Sequence, residues 1–165
     1  MESNVKSKCK KIKMVLSDVD GVLTDGGMYY TDKGDIMKKF HVRDGMGVTL
    51  LRKKQIQTIL ITKEKTKIVK EWAKRMKIEK LYDSVLDKKK ISALICKKYQ
   101  LSLNEIAYIG DDVNDIELLK IVGLSAVPND AIMKAKKVSH YVCKSSGGKA
   151  AFREFADLIL SQKRQ

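Results

Sequence analysis

The apolar run Ile12-Lys13-Met14-Val15-Leu16 is followed, after Ser17 alone, by Asp18-Val19-Asp20-Gly21-Val22-Leu23-Thr24. A short buried strand ending in two carboxylates one residue apart constrains the fold strongly, because open α/β sheets keep their chemistry at the carboxyl ends of their strands. Carboxylates that leave a strand on a turn can converge on one metal ion while an oxygen stays free to attack phosphorus. An isolated Asp-x-Asp-Gly is more often a plain turn capping the next element, so a second signal is needed. Ile106-Ala107-Tyr108-Ile109 supplies it, as another apolar run ending in Gly110-Asp111-Asp112-Val113-Asn114-Asp115. If both runs are parallel neighbours in one sheet, the two acidic clusters meet.

Carboxylates gathered at one sheet edge repel unless a cation compensates them. Hard oxygen donors in a small, partly hydrated site suit Mg²⁺. No softer metal competes: His41 and His140 are the only histidines, and Cys9, Cys96 and Cys143 lack C-x-x-C spacing.

The remaining pattern alternates helix and strand. Helical spacing runs over Gly45 to Lys54, Thr66 to Met76 and Asp115 to Ile121, with an amphipathic run at Ile91, Leu94 and Ile95. Strand-like runs recur at Thr58 to Ile61, Lys80 to Tyr82, Ile106 to Ile109, Gly123 to Val127 and Val138 to Val142. The pattern predicts an α/β fold with a doubly wound parallel sheet. Met28-Tyr29-Tyr30 and Ile36-Met37-Lys38-Lys39-Phe40, joined by Thr31-Asp32-Lys33-Gly34-Asp35, read as a β-hairpin inserted after the first strand, at about 26–43. The 165 residues, 44% hydrophobic, suit one domain over 1–165 with no separate cap, and residues 1–11 and 161–165 read as frayed ends.

The formal charge is +14, from 34 basic and 20 acidic side chains. Lysines spread along the chain without interleaved aromatics, which total 6%, argue against a nucleic-acid partner. The positive field suits a small polyanion instead. With no apolar run near 18 residues and a charged start, neither a membrane span nor a signal peptide is expected, and three unpatterned cysteines suit the cytoplasm.

The two acidic motifs, together with Ile59-Leu60-Ile61-Thr62 and Asp87-Lys88 between them, resemble the haloacid dehalogenase superfamily of phosphohydrolases. Alone, Thr62 would pass for a helix cap and Lys88 for part of a solvated Lys88-Lys89-Lys90 face. The resemblance implies that Asp18 is the nucleophile, that Asp20 is the general acid and base, and that Asp18, Asp111 and the backbone carbonyl of Asp20 ligate Mg²⁺. It further implies that the Thr62 hydroxyl grips the phosphoryl group and that Lys88 holds nucleophile and phosphate together, with Asp112 and Asp115 as outer supports.

A closer likeness follows from Thr24-Asp25-Gly26-Gly27-Met28-Tyr29-Tyr30, Lys38-Lys39-Phe40, Arg43-Asp44-Gly45-Met46-Gly47, Gly123-Leu124-Ser125, and Gly147-Gly148 with Phe152-Arg153-Glu154. These resemble the 3-deoxy-D-manno-octulosonate 8-phosphate phosphatases and their nine-carbon relatives. That family is capless and tetrameric, its hairpins joining into a barrel. Substrate contacts implied are Thr62, Lys63, Glu64, Lys88, Arg43, Gly45 and Arg153. Two departures bear on specificity. The Gly-Arg that usually follows the threonine is Lys63-Glu64 here, which tilts the reading towards a nine-carbon ulosonate 9-phosphate. The usual Gly-Gly-x-Gly-Ala of the tail is Gly147-Gly148-Lys149-Ala150-Ala151. The alternative is a catalytically weak assembly domain like those fused to sialic-acid cytidylyltransferases.

Overall fold

A computed structural model describes residues 2–163. Helix α1 (Glu2–Lys11) leads into strand β1 (Met14–Ser17). The hairpin β2 (Tyr29–Thr31) and β3 (Gly34–Met37) follows, then α2 (Val42–Lys53), β4 (Gln57–Ile61), α3 (Lys67–Met76) and β5 (Lys80–Tyr82). The second half alternates α4 (Lys88–Tyr99), β6 (Ile106–Ile109), α5 (Ile116–Ile121), β7 (Leu124–Val127), α6 (Met133–Val138), β8 (Tyr141–Val142) and α7 (Ala151–Ser161).

Six of the strands form one sheet in the order β5-β4-β1-β6-β7-β8, and every pairing in it is parallel. Each residue of β1, β6 and β7 is buried, as strands covered on both faces require. Alternation along them splits the core in two. Val15, Leu60, Ala107, Ile109 and Leu124 point to the side carrying α1, α2, α3 and α7. Leu16, Ile59, Ile61, Ile106 and Tyr108 point to the side carrying α4, α5 and α6. Because the chain runs outward from β1 in both directions, the ends of β1, β4 and β6 lie side by side, with Ser17 opposite Leu60 and Ile109.

Helix starts follow local capping chemistry. The Thr66 hydroxyl accepts from the Val69 N–H, and the Asp87 carboxylate accepts from the Lys90 N–H, fixing where α3 and α4 begin. On α7, Phe152, Phe155, Ala156 and Ile159 form one buried stripe against the first core.

Several expectations need correction. Residues 2–11 are not frayed: they form α1, on which Val5 and Cys9 face the core. Val138 closes helix α6, so the last strand is only Tyr141–Val142; β-branching at Val138 and Val142 resembled a longer strand. The second helix starts at Val42, ahead of Gly45, because the His41 ring accepts from the Arg43 N–H as its cap. Helix α7 continues to Ser161, and Lys163 Nζ reaches the Lys10 carbonyl at 2.6 Å; residues 1, 164 and 165 lie outside the described residues. No helix among the described residues is long and apolar enough to cross a membrane.

The hairpin stands apart from the sheet and exposes apolar side chains: Met28 is 64% exposed, Tyr30 63% and Ile36 59%.

Ala150 enters α7 with φ 75 and ψ 24, a left-handed conformation that its Cβ resists. Ala150→Gly is therefore expected to stabilise the chain by about 1 kcal/mol, read as a rise in the urea midpoint at unchanged slope. An unchanged midpoint would show that the strain is relieved elsewhere.

Candidate active site

The β1 terminus is tied to its neighbour by the Asp18 N–H, which donates to the Ile109 carbonyl at 2.9 Å. Both acidic loops therefore leave the sheet from adjacent positions. Gly21 turns the first loop with φ 83, and a Cβ there would lie 2.1 Å from Asp111 Oδ2. Gly110 makes a matching allowance in the second loop, where a Cβ would lie 2.5 Å from the Asp115 carboxyl carbon. The missing side chain of Gly21 thus lets the two acidic clusters come into contact, and that of Gly110 lets Asp115 fold back onto its own loop.

At the junction, Lys88 Nζ lies 2.7 Å from Asp18 Oδ2 and 2.6 Å from Asp115 Oδ1, with its side chain 1% exposed. Asp18 Oδ1 accepts from the Val19 N–H at 2.7 Å. Asp115 is saturated. Its Oδ1 accepts from Lys88 and from the Tyr108 hydroxyl at 2.5 Å, and its Oδ2 accepts from the Asp111 and Asp112 N–H groups at 2.8 and 3.1 Å. Although Asp18, Asp111 and Asp115 each offer an oxygen within 4.8 Å of the others, Asp115 has no lone pair to spare. It acts as scaffold. Asp112 caps the loop by accepting from the Val113 N–H.

Electrostatics mark Asp18 and Asp111 as the groups that need a cation. Burial pushes Asp18 up to about 7 against the pull of Lys88. Burial, reinforced by the charges of Asp18 and Asp115, pushes Asp111 up to about 8. For Lys88, burial alone would lower the ammonium's pKa, but Asp18 and Asp115 overcome it and raise it. One buried ammonium faces three carboxylates, so negative charge is in excess. Asp111 Oδ1 and Asp20 Oδ2 are buried without a hydrogen-bond partner among the described residues. A hard divalent ion fits this all-oxygen, anion-rich set, satisfying an orphaned acceptor and lowering both raised values.

Asp18, Asp20, Thr62, Lys63, Glu64, Asp111, Asp112 and Asn114 line one cavity of about 170 Å³. Thr62 sits at the end of β4, 1% exposed, with its N–H on the Tyr82 carbonyl. The Thr62 hydroxyl accepts from the Glu64 N–H at 3.2 Å. Lys63 is absent from the residues with left-handed backbone, so this turn forms without the glycine of the related motif.

The structure does not bring the other expected substrate contacts to this cavity. Arg43 and Arg153 line a separate depression with Ser145, Ala150, Glu154 and Asp157, and Arg153 Nε is paired with Asp157 at 2.8 Å. Gly45 lies against Met76, beside a third depression lined by Phe40, His41 and Trp72. The reason is topological: α2 and α7 pack against each other on the α1 side of the sheet. Conversely, Lys38 and Asn114 were not anticipated. Lys38 Nζ lies 2.7 Å from Asp20 Oδ1 and 3.2 Å from Asp35 Oδ2. Lys38 had two sequence signals, its place in a hairpin arm, where a lysine ordinarily faces water, and the Lys38-Lys39-Phe40 segment of the resemblance, neither of which assigns it a role; Asn114 has none beyond its acidic neighbours.

A model of haloacid dehalogenase-like hydrolases matches residues 32–151. The 3-deoxy-D-manno-octulosonate 8-phosphate phosphatase of Haemophilus influenzae is 35% identical over 156 residues, which are 94% of this chain and 87% of that protein. Its cobalt-bound structure superposes with a TM-score of 0.92, covering 94% of this chain and 91% of its own. The Moraxella catarrhalis phosphatase of the same name, solved with magnesium, phosphate and a KDO molecule, superposes at 0.95 with 31% identity, covering 98% of this chain and 93% of its own. The motifs, the sheet order and these likenesses over nearly the whole length agree: the chain belongs to the haloacid dehalogenase-like hydrolases.

Proposed function

We propose that the protein is a Mg²⁺-dependent phosphatase that hydrolyses the phosphate monoester of a 2-keto-3-deoxy sugar acid through an aspartyl-phosphate on Asp18. The observation that carries this reading is the Asp18 carboxylate held by buried Lys88 at a cavity shared with Asp20, Thr62 and Asp111. An assembly domain has no use for an ammonium buried between two carboxylates, since such a pair is costly to desolvate. This disfavours the scaffold alternative.

Lys88 fixes the Asp18 side chain, so that one carboxylate oxygen approaches phosphorus without rotamer freedom to lose. An Asp18 oxygen forms a bond to phosphorus while the ester P–O bond breaks, and the proton on Asp20 passes to the departing alcohol oxygen. Asp20, now ionised, takes a proton from a water that attacks the acyl phosphate; inorganic phosphate leaves and Asp18 is restored. The Thr62 hydroxyl, oriented by the Glu64 N–H, donates to a phosphoryl oxygen. Mg²⁺ held by Asp18, Asp111 and the Asp20 carbonyl would supply charge neutralisation at the phosphoryl group.

The names of the relatives favour the eight-carbon 8-phosphate over the nine-carbon ester suggested by Glu64. We place the protein in the cytoplasm as one folded unit over 1–165 with the hairpin inserted at about 26–43, its three free cysteines suiting that compartment. Tetramerisation through the hairpins is supported by their exposed Met28, Tyr30 and Ile36.

With Mg²⁺ the purified protein should release phosphate from the octulosonate ester faster than from the nine-carbon one, and stop in EDTA. Asp18→Asn should lower kcat by about 10⁴-fold or more; a variant retaining full rate would remove Asp18 as nucleophile. Lys88→Met strands buried carboxylates and should destabilise the fold by about 3–5 kcal/mol, measured by urea unfolding, while abolishing turnover. Asp18 and Asp111 hold protons in the folded state to about 7 and 8, well above the ordinary carboxylate value of 3.8. Folding then binds protons, so without divalent metal the melting temperature should fall as pH rises from 5 to 8, on the order of that interval. Asp44, pushed up to about 6 by burial, adds in the same direction. Added Mg²⁺ should raise melting most at the alkaline end; a metal-free curve that rises with pH would contradict the charge excess.

A further inference from the structure

Asp20 has two chemically different oxygens. Its Oδ1 receives Lys38 Nζ at 2.7 Å and the Thr24 hydroxyl at 3.4 Å, whereas Oδ2 has no hydrogen-bond partner among the described residues. Lys38 follows strand β3 and is itself anchored by Asp35 of that strand, at 3.2 Å. Its side chain is only 4% exposed although the lysine stands on an otherwise exposed hairpin. Neighbouring Lys39 behaves as a surface lysine: its contact with Asp25 is 3.6 Å long and its side chain 57% exposed.

We infer that Lys38 is a positioning residue that assigns the two oxygens of Asp20 their tasks, and this rests on the phosphatase reading above. An ammonium donating to Oδ1 occupies that oxygen, so Oδ2 is the one left to face the leaving oxygen. A general acid works only when its proton lies within hydrogen-bond reach of the leaving oxygen. The same contact stops the Asp20 side chain from turning, because Lys38 is tied at its other side to β3. The hairpin therefore acts on the site: its register, through Asp35 and Lys38, sets the orientation of the acid in the first loop. The cavity holding Lys38, lined also by Met28, Tyr30, Asp35 and Lys65, shares Glu64 with the cavity holding Asp20, so the ion pair stands between the two.

The test uses leaving-group demand. An alkyl ester such as a sugar-acid phosphate needs a proton on its departing oxygen; p-nitrophenyl phosphate does not. For Lys38→Met, kcat on the sugar-acid phosphate should fall about 10²-fold with KM nearly unchanged, while kcat/KM on p-nitrophenyl phosphate moves no more than about threefold. Lys38→Arg should recover much of the loss, and Lys39→Met should leave both esters at wild-type rates. If Lys38→Met does not fold, Asp35→Asn carries the same measurement, and a selective loss on the alkyl ester is again expected. Equal losses on both esters, no loss on either, or a raised KM at unchanged kcat would overturn the inference. A wild-type protein that hydrolyses neither ester would instead sink the phosphatase reading itself.

Discussion

Lys88 brings a full positive charge into a space from which water is nearly excluded, and the surrounding chain is arranged around that charge. It occupies the first position of α4, where a cation opposes the helix dipole. Helix preference does not put it there; the carboxylates of Asp18 and Asp115 do. The ion pairs tie α4 to the ends of β1 and β6, and Asp115 passes the restraint on through Tyr108 and the backbone of the Asp111 loop. Buried, hydrogen-bonded charges of this kind contribute rigidity and a unique geometry more than net stability. Rigidity is what an in-line displacement on phosphorus requires, since little of the catalytic effect comes from anything but placement and field.

The parts of the site legible in the sequence were those carried by fully buried parallel strands. Leu16 and Ile109 end short apolar runs, and the carboxylates that follow them stand out against such runs. Thr62 and Lys88 needed the resemblance, since a strand-end threonine and a lysine among lysines have bland local readings. Helix α1 was missed although Val5, Cys9 and Ile12 recur at intervals of four and three, because the lysines between them dominated the composition. A run such as Val138 to Val142 carries no period long enough to separate a helix end from a strand. Arg43 and Arg153 have motif positions but no local signal for where α2 and α7 will dock. That is decided by the α2–α7 packing, a long-range property.

The lysine excess has a structural division of labour. Lys88 and Lys38 are buried and each is shared between two carboxylates, whereas Lys39 remains at the surface. Lys63 and Lys65 border the cavities on either side of Glu64. A substrate carrying phosphate and carboxylate would thus meet positive charge around a negative centre. This arrangement attracts a dianion while reserving the deepest positions for the hydrolytic groups. The chain, although strongly basic, lacks the interleaved aromatic platforms of a nucleic-acid binder.

The sheet order has a bearing on how the molecule comes into being. Strand β1 precedes β4 and β6 in the chain and so is synthesised before them, yet it lies between the two. Until both emerge, an apolar strand with two open edges has no native partner, and such edges invite association with other chains. Helix α1, with Lys8, Lys10 and Lys11 in its last turn, sets charge immediately before that segment, the kind of flank that opposes association of an unpaired apolar strand. A central first strand thus ties completion of the sheet, and of the acidic site at its edge, to the arrival of both later neighbours.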